Sequence, residues 1–453
     1  MLARLVLLGA GGDLTERLLL PALASLVQAG AAPPGFQVIG VGRVDLDDEQ
    51  FARQCEEALA EFAPDLPLRS RRQLLDGISY VRADVTDSAE LSKALPDGEA
   101  CAVYLALPNA VFLPTCRALA EVGLAQGSVL VVEKPFGTSL DSARELNEAV
   151  VAVVPEERVF RVDHFLAMQT VVNLLGLRFA NRVLEPLWSR DHVERVDVVF
   201  DETLALEGRA GYYDSAGALV DMLQNHLLQV LALVAMEPPT SLDEHDLRDR
   251  KVQLLRKVRA PEPSQMATRT VRGRYTAGAV GGRALQAYVD EDGVDRDRGT
   301  ETYAEVWFEV DNPRWAGVPF VLRSGKALAD DRQEVVVTFR AAEGSPFAGP
   351  VAPNRLRLGM LPDSVRLALN VNGPGDPFDL EAAELALPLP QRALSAYALL
   401  LKAVLLADPT LSIRGDEAEQ CWRIVAPVLA AWSDGSVPLL DYPAGSDGPA
   451  QAE

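Results

Sequence analysis

The chain has 453 residues, 48% of them hydrophobic and 24% charged, enough for two or three cored domains of ordinary globular composition. Its 65 acidic side chains outnumber 43 basic ones, and a net charge of −22 repels phosphate backbones and anionic lipid, which excludes nucleic acid and membrane as expected partners. No apolar run reaches the roughly 18 residues needed to span a bilayer. The N-terminus, Met1-Leu2-Ala3-Arg4-Leu5, lacks the regions of a signal peptide and runs straight into a strand expected over 5–8. A turn, Gly9-Ala10-Gly11-Gly12-Asp13-Leu14, leads into a helical pattern that reaches Ala29 and stops at Gly30. A strand over 36–41, a helix over 49–62, and apolar strands over 78–82, 102–107 and 129–132 follow. Apolar strands alternating with helices predict a parallel sheet covered on both faces. Beyond residues 160–180 the pattern changes. Segments 193–200, 303–310, 319–323, 334–340 and 364–372 are β-rich and punctuated by Gly, Pro and Asn, with helices expected over 217–236 and 393–407. The expected organisation is therefore an α/β dinucleotide-type domain over 1–165 and a larger α+β domain over 166–453, built on a mainly antiparallel sheet. Only 445–453 looks frayed by composition.

A strand, a Gly-rich turn and a helix form the context in which a backbone approaches a pyrophosphate and helix N–H groups point at it. Leu14 replaces the third glycine of the usual pattern. The second strand ends in Gly42-Arg43, where an arginine can stack on adenine, meet a 2′-phosphate, or simply be solvated.

Only four histidines occur. His164 follows Arg161-Val162-Asp163, and His226 ends Asp221-Met222-Leu223-Gln224-Asn225-His226, where Asp221, Asn225 and Gln229 are expected to share a helix face. An imidazole beside a carboxylate can abstract a hydroxyl proton near neutral pH, and a hydrogen-bonded core histidine is the plain alternative. His192 and His245 sit among charges and read as solvated. Cys55, Cys101, Cys116 and Cys421 show no CxxC and, with the histidines, no zinc spacing, so no metal is expected and the thiols read as buried in a reducing cytoplasm. Lys134 closes an apolar strand in Glu133-Lys134-Pro135-Phe136-Gly137, and Lys326 ends Arg323-Ser324-Gly325-Lys326. A lysine at the carboxyl end of a parallel strand lies where open α/β sheets bind ligands; a stem lying on apolar surface is the alternative.

Taken together these motifs resemble the glucose-6-phosphate dehydrogenase family. The likeness runs through residues 9–21, the Glu133–Gly137 motif, residues 161–164 and 177–182, and Glu207-Gly208-Arg209-Ala210-Gly211-Tyr212-Tyr213-Asp214. It continues in Gln224-Asn225-His226, residues 312–320, 323–326 and 442–446. The resemblance implies a Rossmann domain, an antiparallel-sheet domain, and homodimers or homotetramers formed through that sheet. It also implies oxidation of C1 of glucose 6-phosphate, or a related aldopyranose, to the lactone with NAD or NADP. His226 then corresponds to the general base, Asp163 to the carboxylate that orients it beside the nicotinamide, and Lys134 to a lysine touching both sugar and nicotinamide; Pro135 corresponds to a proline that often carries a cis bond. Gly9, Gly11, Gly12, Asp13, Leu14, Arg43 and Pro108 match cofactor-binding positions. Glu202 and Asp221 match sugar-hydroxyl positions, and His164 and Lys326 match positions at the phosphate or adjoining hydroxyls.

The departures from the family gather at the phosphate end of the substrate. Phe165 and Met168 stand where a phosphate-binding hydroxyl and lysine are usual, Glu16 and Leu18 replace lysines, and Leu361 aligns with a sugar-contacting Gln. A weakened phosphate site, or an unphosphorylated or modified sugar as substrate, follows as an expectation. A non-catalytic regulatory relative is the third reading, and the retained Asp163, His226 and Lys134 argue against it. Gly11 offers no hydroxyl to a 2′-phosphate, and Asp45, Asp47 and Asp48 follow Arg43, so NAD is expected to be preferred, with NADP possible.

Overall fold

The computed structural model describes residues 1–450 except 207, 209, 348–350, 377 and 391, and of Tyr212 only the backbone. Glu207 and Arg209 of the family-like motif, and residues 451–453 of the tail, therefore lie outside the described residues. The chain forms two compact units. The first contains Met1–Met168, Pro239–Asp249 and Gln391–Glu419; the second contains Gln169–Pro238, Arg250–Pro390 and Gln420–Glu453. Two later segments thus join the first unit, a return that a change of pattern along the chain cannot display.

In the first unit β1 (Arg4–Leu8), β2 (Gln37–Gly42), β3 (Ile78–Arg82), β4 (Ala102–Leu105), β5 (Val129–Glu133) and β6 (Val159–Val162) form one sheet in the order β3-β2-β1-β4-β5-β6. Every pairing is parallel, with Leu5 opposite both Val38 and Ala102. The strands are apolar because both faces are covered: all residues of β4, β5 and β6 are buried. The helix Asp48–Phe62 starts at a capping box in which Asp47 and Gln50 satisfy each other's backbone N–H groups. The returning helix Ala396–Leu406 buries Leu400, Leu401, Val404 and Leu405 in the same core as Leu5, Leu7 and Leu23.

In the second unit nine strands follow one path: β7 (Val193–Asp201), β8 (Thr270–Thr276), β9 (Tyr303–Val310), β10 (Phe320–Gly325), β11 (Arg332–Phe339), β12 (Arg355–Met360), β13 (Asp363–Asn372), β14 (Leu380–Pro388) and β15 (Leu439–Pro443). Their order is β14-β13-β12-β11-β7-β10-β9-β8-β15, and Val258–Arg259 pairs with β9. The sheet is antiparallel except where β10 meets β7 and β15 meets β8. Alternation in the sequence reflects one covered face, plainest in β12, where every second residue is buried.

Two expectations are corrected here. The helix expected over 217–236 breaks at Gly217, and Leu219–Leu227 is wound as a π-helix before Leu228–Ala235 resumes α geometry. Asp221, Asn225 and Gln229 therefore do not form an ordinary α-helical face, since the first two lie in the wider π winding and Gln229 lies in the α-helix after it. The tail is not frayed from residue 445. The Gly445 N–H donates to Ala327 O (2.8 Å), the Ala329 N–H to Ser446 O (3.0 Å), and Arg323 Nη2 to Asp447 O (3.0 Å). Backbone pairing of this kind is invisible in a polar, Gly-rich composition. The sequence reading also did not single out the stretch Tyr213–Ala235, which has the length and mean hydropathy (1.4) of a membrane span; 89% of its most apolar window is buried inside the protein, as in a core helix.

Candidate active site

The carboxyl ends of β1, β2 and β4 open into a cavity of about 790 Å³. Gly9, Gly11, Gly12, Arg43 and Pro108 line it. Gly9 adopts φ +93°, and a Cβ there would collide with the Ala106 carbonyl, so only glycine allows this close approach of turn and strand. Gly11 has open space where a Cβ would stand, so a ligand can approach the backbone there. Asp13 and Leu14 do not line the cavity. Asp13 is exposed and faces Arg17 at 3.5 Å, while Leu14 packs against the core. The cradle, the open Gly11 and the cavity fit a dinucleotide whose pyrophosphate meets the turn.

The charges around this cavity differ from those the sequence suggested. Asp45 pairs with Arg82 at 3.5 Å, Asp47 caps a helix, and Asp48 accepts the Tyr80 N–H at 2.7 Å; none of the three lines the cavity. Arg43 is the lining cation among the described residues, against the carboxylates of Glu16, Glu57, Glu61 and Asp84. Hydrogen bonds from the Thr86 backbone and hydroxyl, with Arg43 adding, hold Asp84 below the usual carboxylate range.

At the ends of β5 and β6 the first unit gathers a second group. Glu133 is buried and accepts a hydrogen bond from the Tyr104 hydroxyl. Burial pushes its carboxyl up to about 7, Asp163 adds to the rise, and Tyr104 and Lys134 oppose it. The next residue is half-buried Lys134, and the Lys134–Pro135 peptide is cis, as the resemblance implied. Asp163 is 1% exposed, and its Oδ1 accepts the Phe165 N–H at 3.0 Å. The strand that delivers it is fixed by Arg161, whose guanidinium donates to Glu156 (2.6 and 3.1 Å) and Asn147 (3.1 Å). The His164 ring stacks on Tyr397 at 5.6 Å, and Phe165 is buried. Burial, with Glu133 and then Asp163 adding, pushes the Tyr397 phenol well up.

The second unit carries the remaining expected residues. Lys326 Nζ donates to Glu202 at 2.8 Å and lies 5.4 Å from the centre of the Tyr213 ring. The backbone fixes this pair, since the Glu202 N–H donates to Gly325 O (2.8 Å) and the Lys326 N–H to Thr302 O (2.9 Å). Burial raises the Tyr213 phenol, and Asp221, Glu301 and Glu202 add to the rise, so Tyr213 sits amid the carboxylates of this region. Asp221 is half-buried, and His226 is 1% exposed with its backbone N–H donating to Asn225 Oδ1 at 2.6 Å. His192 and His245 are exposed and the four cysteines are buried thiols, both as expected.

Sequence reasoning assigned no role to Tyr104, Tyr213, Tyr397, Glu133 or Glu301. A charged residue ending an apolar strand was the available signal for Glu133; the tyrosines lie inside apolar or mixed segments and carry none.

Comparison with known proteins bears on the whole chain. The family model described as "Glucose-6-phosphate dehydrogenase, NAD binding domain" matches residues 6–173, and "Glucose-6-phosphate dehydrogenase, C-terminal domain" matches 175–453. The glucose-6-phosphate 1-dehydrogenase of Gluconobacter oxydans is 40% identical, covering 99% of this chain and 94% of the relative. That of Rhizobium meliloti is 38% identical with the same coverage. A solved glucose-6-phosphate dehydrogenase in complex with glucose 6-phosphate is 31% identical and superposes with a TM-score of 0.90 over 98% of this chain and 95% of that one. The crystal structure of glucose-6-phosphate 1-dehydrogenase from Mycobacterium avium gives 35% identity and 0.86 over 99% and 96%.

Proposed function

The chain belongs to the glucose-6-phosphate dehydrogenase family, and from that premise we propose that it oxidises C1 of glucose 6-phosphate to the lactone. The observation that carries this reading is the retention of Asp163, Lys134 and His226 in a chain that matches the family from end to end. A nicotinamide dinucleotide, when bound, supplies the hydride acceptor. His226 takes the C1 hydroxyl proton, and Asp163 orients the imidazole and stabilises its cationic form. Lys134 holds the sugar through its hydroxyls with a fixed positive charge. Glu202 and Asp221 bind further hydroxyls, and His164 and Lys326 serve the phosphate end.

Loss of one charge-assisted phosphate contact costs about 1.5–3 kcal/mol, or roughly 10- to 100-fold in affinity. Phe165 and Met168 are therefore read as raising KM for glucose 6-phosphate, not as a change of substrate; the unphosphorylated-sugar and regulatory readings are not adopted. The preferred cofactor is NAD. Four carboxylates against one arginine in the cavity lining support this, because they repel a 2′-phosphate more than a ribose hydroxyl. The assembly is a homodimer or homotetramer through the second unit's sheet. Edge strand β14, with Leu385 and Leu387 exposed beside exposed Phe378, supports it. The buried thiols support a cytoplasmic setting.

Steady-state absorbance at the reduced-nicotinamide band, with glucose 6-phosphate or glucose and with NAD or NADP, tests these readings together. Turnover of glucose 6-phosphate with a higher kcat/KM for NAD is expected. Absence of turnover with glucose 6-phosphate would overturn the activity, a micromolar KM would overturn the weakened phosphate site, and a tenfold preference for NADP would overturn the cofactor assignment.

A further inference from the structure

The helix that presents Asp221 and His226 begins in an unusual way. Gly217 interrupts the preceding helix at φ +69° and ψ 172°, and the chain restarts at Ala218 and Leu219. The first N–H groups of a helix have no partner within it, and this start is buried: Leu219 is 0% exposed and Ala218 1%. No side chain of the helix's own N-terminal residue caps it. Both donors are instead met by one residue 82 positions further along the chain. The Ala218 N–H donates to the backbone carbonyl of Glu301 (3.1 Å), and the Leu219 N–H donates to its carboxyl Oε1 (3.0 Å). Glu301 itself stands just before β9, between Thr300 and Thr302, and is buried.

Gly217 belongs to the same device. A Cβ at 217 would collide with the Glu301 carboxyl, and the positive φ alone would strain any other residue. The neighbours of Glu301 also carry chemistry. The residue after it, Thr302, accepts the Lys326 N–H on its carbonyl at 2.9 Å. Glu301 and Asp221 both raise the Tyr213 phenol, and the Lys326 ammonium lies over that ring. One short segment, 300–302, therefore sets the start of the helix carrying Asp221 and His226 and the backbone position of Lys326. Buried carboxyls are expensive, and burial has pushed this one up to about 7, so a purely structural cap could have been made at lower cost by Ser, Thr or Asn at the helix start itself.

We propose that Glu301 is a positioning residue for the reaction: its carboxyl oxygen, by accepting the Leu219 N–H, fixes the axial position and rotation of the π-wound helix and so places His226 and Asp221 on the sugar. This rests on the activity and the roles proposed above. The register is sensitive because Asp221 lies only two residues past the capped N–H and because a π-helix has the same backbone available in a tighter α winding.

The test compares the full-length wild-type enzyme with Glu301→Ala, Glu301→Gln and Glu301→Asp. Initial rates with glucose 6-phosphate and NAD give kcat and KM, NADH fluorescence titration gives cofactor affinity, and active-site concentration is normalised by that titration. Glu301→Ala is expected to raise KM for glucose 6-phosphate and lower kcat, each by about tenfold, with NADH affinity unchanged. Glu301→Gln keeps an acceptor oxygen at the same reach and is expected to restore both to within about threefold. Glu301→Asp, one methylene too short, is expected to behave like the alanine variant. A merely structural role would lower thermal stability and the active fraction while leaving KM of the surviving enzyme at the wild-type value; that result overturns the proposal. If Glu301→Ala does not fold, the contrast between Gln and Asp decides, and equal kinetics for those two overturn it. Wild-type enzyme inactive on glucose 6-phosphate would overturn the activity and this inference together; active wild-type with unaffected variants would overturn the inference alone.

Discussion

Each unit hides one glutamate behind its share of the chemistry, and the two are held differently. Glu133 ends the parallel strand β5, next to Lys134, and is met by a phenol, the Tyr104 hydroxyl. Glu301 precedes an antiparallel strand and is met by a backbone N–H at the start of the His226 helix. Burial pushes both carboxyls up to about 7. Beside Glu133 stand Lys134 and Asp163, whose charges act on it in opposite directions, so its protonation is felt by those two groups. Glu301 is opposed by hydrogen bonds from backbone N–H groups and more weakly by Arg272, so its oxygen matters through geometry. The same residue type, equally buried, thus acts as an electrostatic neighbour in one unit and as a geometric stop in the other.

The comparison has meaning only if the groups in front of each glutamate are essential, which is the largest effect to check. Asp163→Asn in the first unit and His226→Asn in the second are each expected to lower kcat by about 10²- to 10⁴-fold, the span attributed to a lost general base or its orienting partner. NADH affinity, measured by fluorescence, should stay within a few-fold of wild type. A variant of either position retaining a tenth of wild-type kcat would remove the chemistry from that unit.

Glu133→Gln separates the electrostatic role from the geometric one. Below pH 7 the carboxyl is mostly protonated, and glutamine imitates it; above pH 7 the wild-type group ionises and places an anion beside Lys134, which glutamine cannot do. The two enzymes are expected to have similar kcat/KM at pH 6 and to diverge by about tenfold at pH 8.5, equivalent to about 1.4 kcal/mol. A constant ratio across the pH range would reduce Glu133 to a structural acceptor for Tyr104. On the other side, Gly217→Ala drives a Cβ against the Glu301 carboxyl in a left-handed conformation, which costs of order 1–3 kcal/mol. Its expected signature is a fall in melting temperature with a several-fold rise in KM and no change in the shape of the pH profile.

How much of this was legible depends on whether the sequence itself carries the cause. The first sheet was readable because β4 and β5 are apolar on both faces, and residues 78–82 and 303–310 matched their strands at both ends. Strand β14, Leu-Glu-Ala-Ala-Glu-Leu-Ala-Leu-Pro, was not: its alanines, leucines and glutamates are good helix formers, and pairing with β13 along nine residues overrides them. The π-winding of Leu219–Leu227 has no compositional mark, since it follows from where Gly217 and Glu301 anchor its start. Local motifs singled out Gly9, Gly12, Lys134 and Asp163 because each stands in a short, recognisable pattern. The same reading placed Asp45, Asp47 and Asp48 at the cofactor by adjacency to Arg43, whereas Asp47 and Asp48 are spent on a helix cap and on the Tyr80 N–H. Three of the four acids that do line the cavity, Glu16, Glu57 and Glu61, come from helix turns that only the fold brings together.

The smallest effect is one of stability and tests both glutamates at once. Each carboxyl has a folded value of about 7, above the ordinary 4.5. Between those two values the folded chain holds a proton that the unfolded chain has released, so stability falls as pH rises through that window. The contribution is therefore full below about 4.5 and gone above about 7, the opposite of a salt-bridged carboxylate. Raising pH from 5.5 to 7.5 should lower the melting temperature of the wild-type protein, by a few degrees on the usual scale for a large domain. Repulsion within a chain of net charge −22 acts in the same direction, so the slope alone assigns nothing. The assignment comes from the difference between slopes: Glu133→Gln and Glu301→Gln, which cannot release a proton, should each flatten the curve, and the double variant should flatten it by the sum, since the two sites share no hydrogen-bond partner. Slopes in both single variants equal to wild type would mean that neither carboxyl holds its proton in this range, and the contrast between electrostatic neighbour and geometric stop would then have to rest on the kinetic variants.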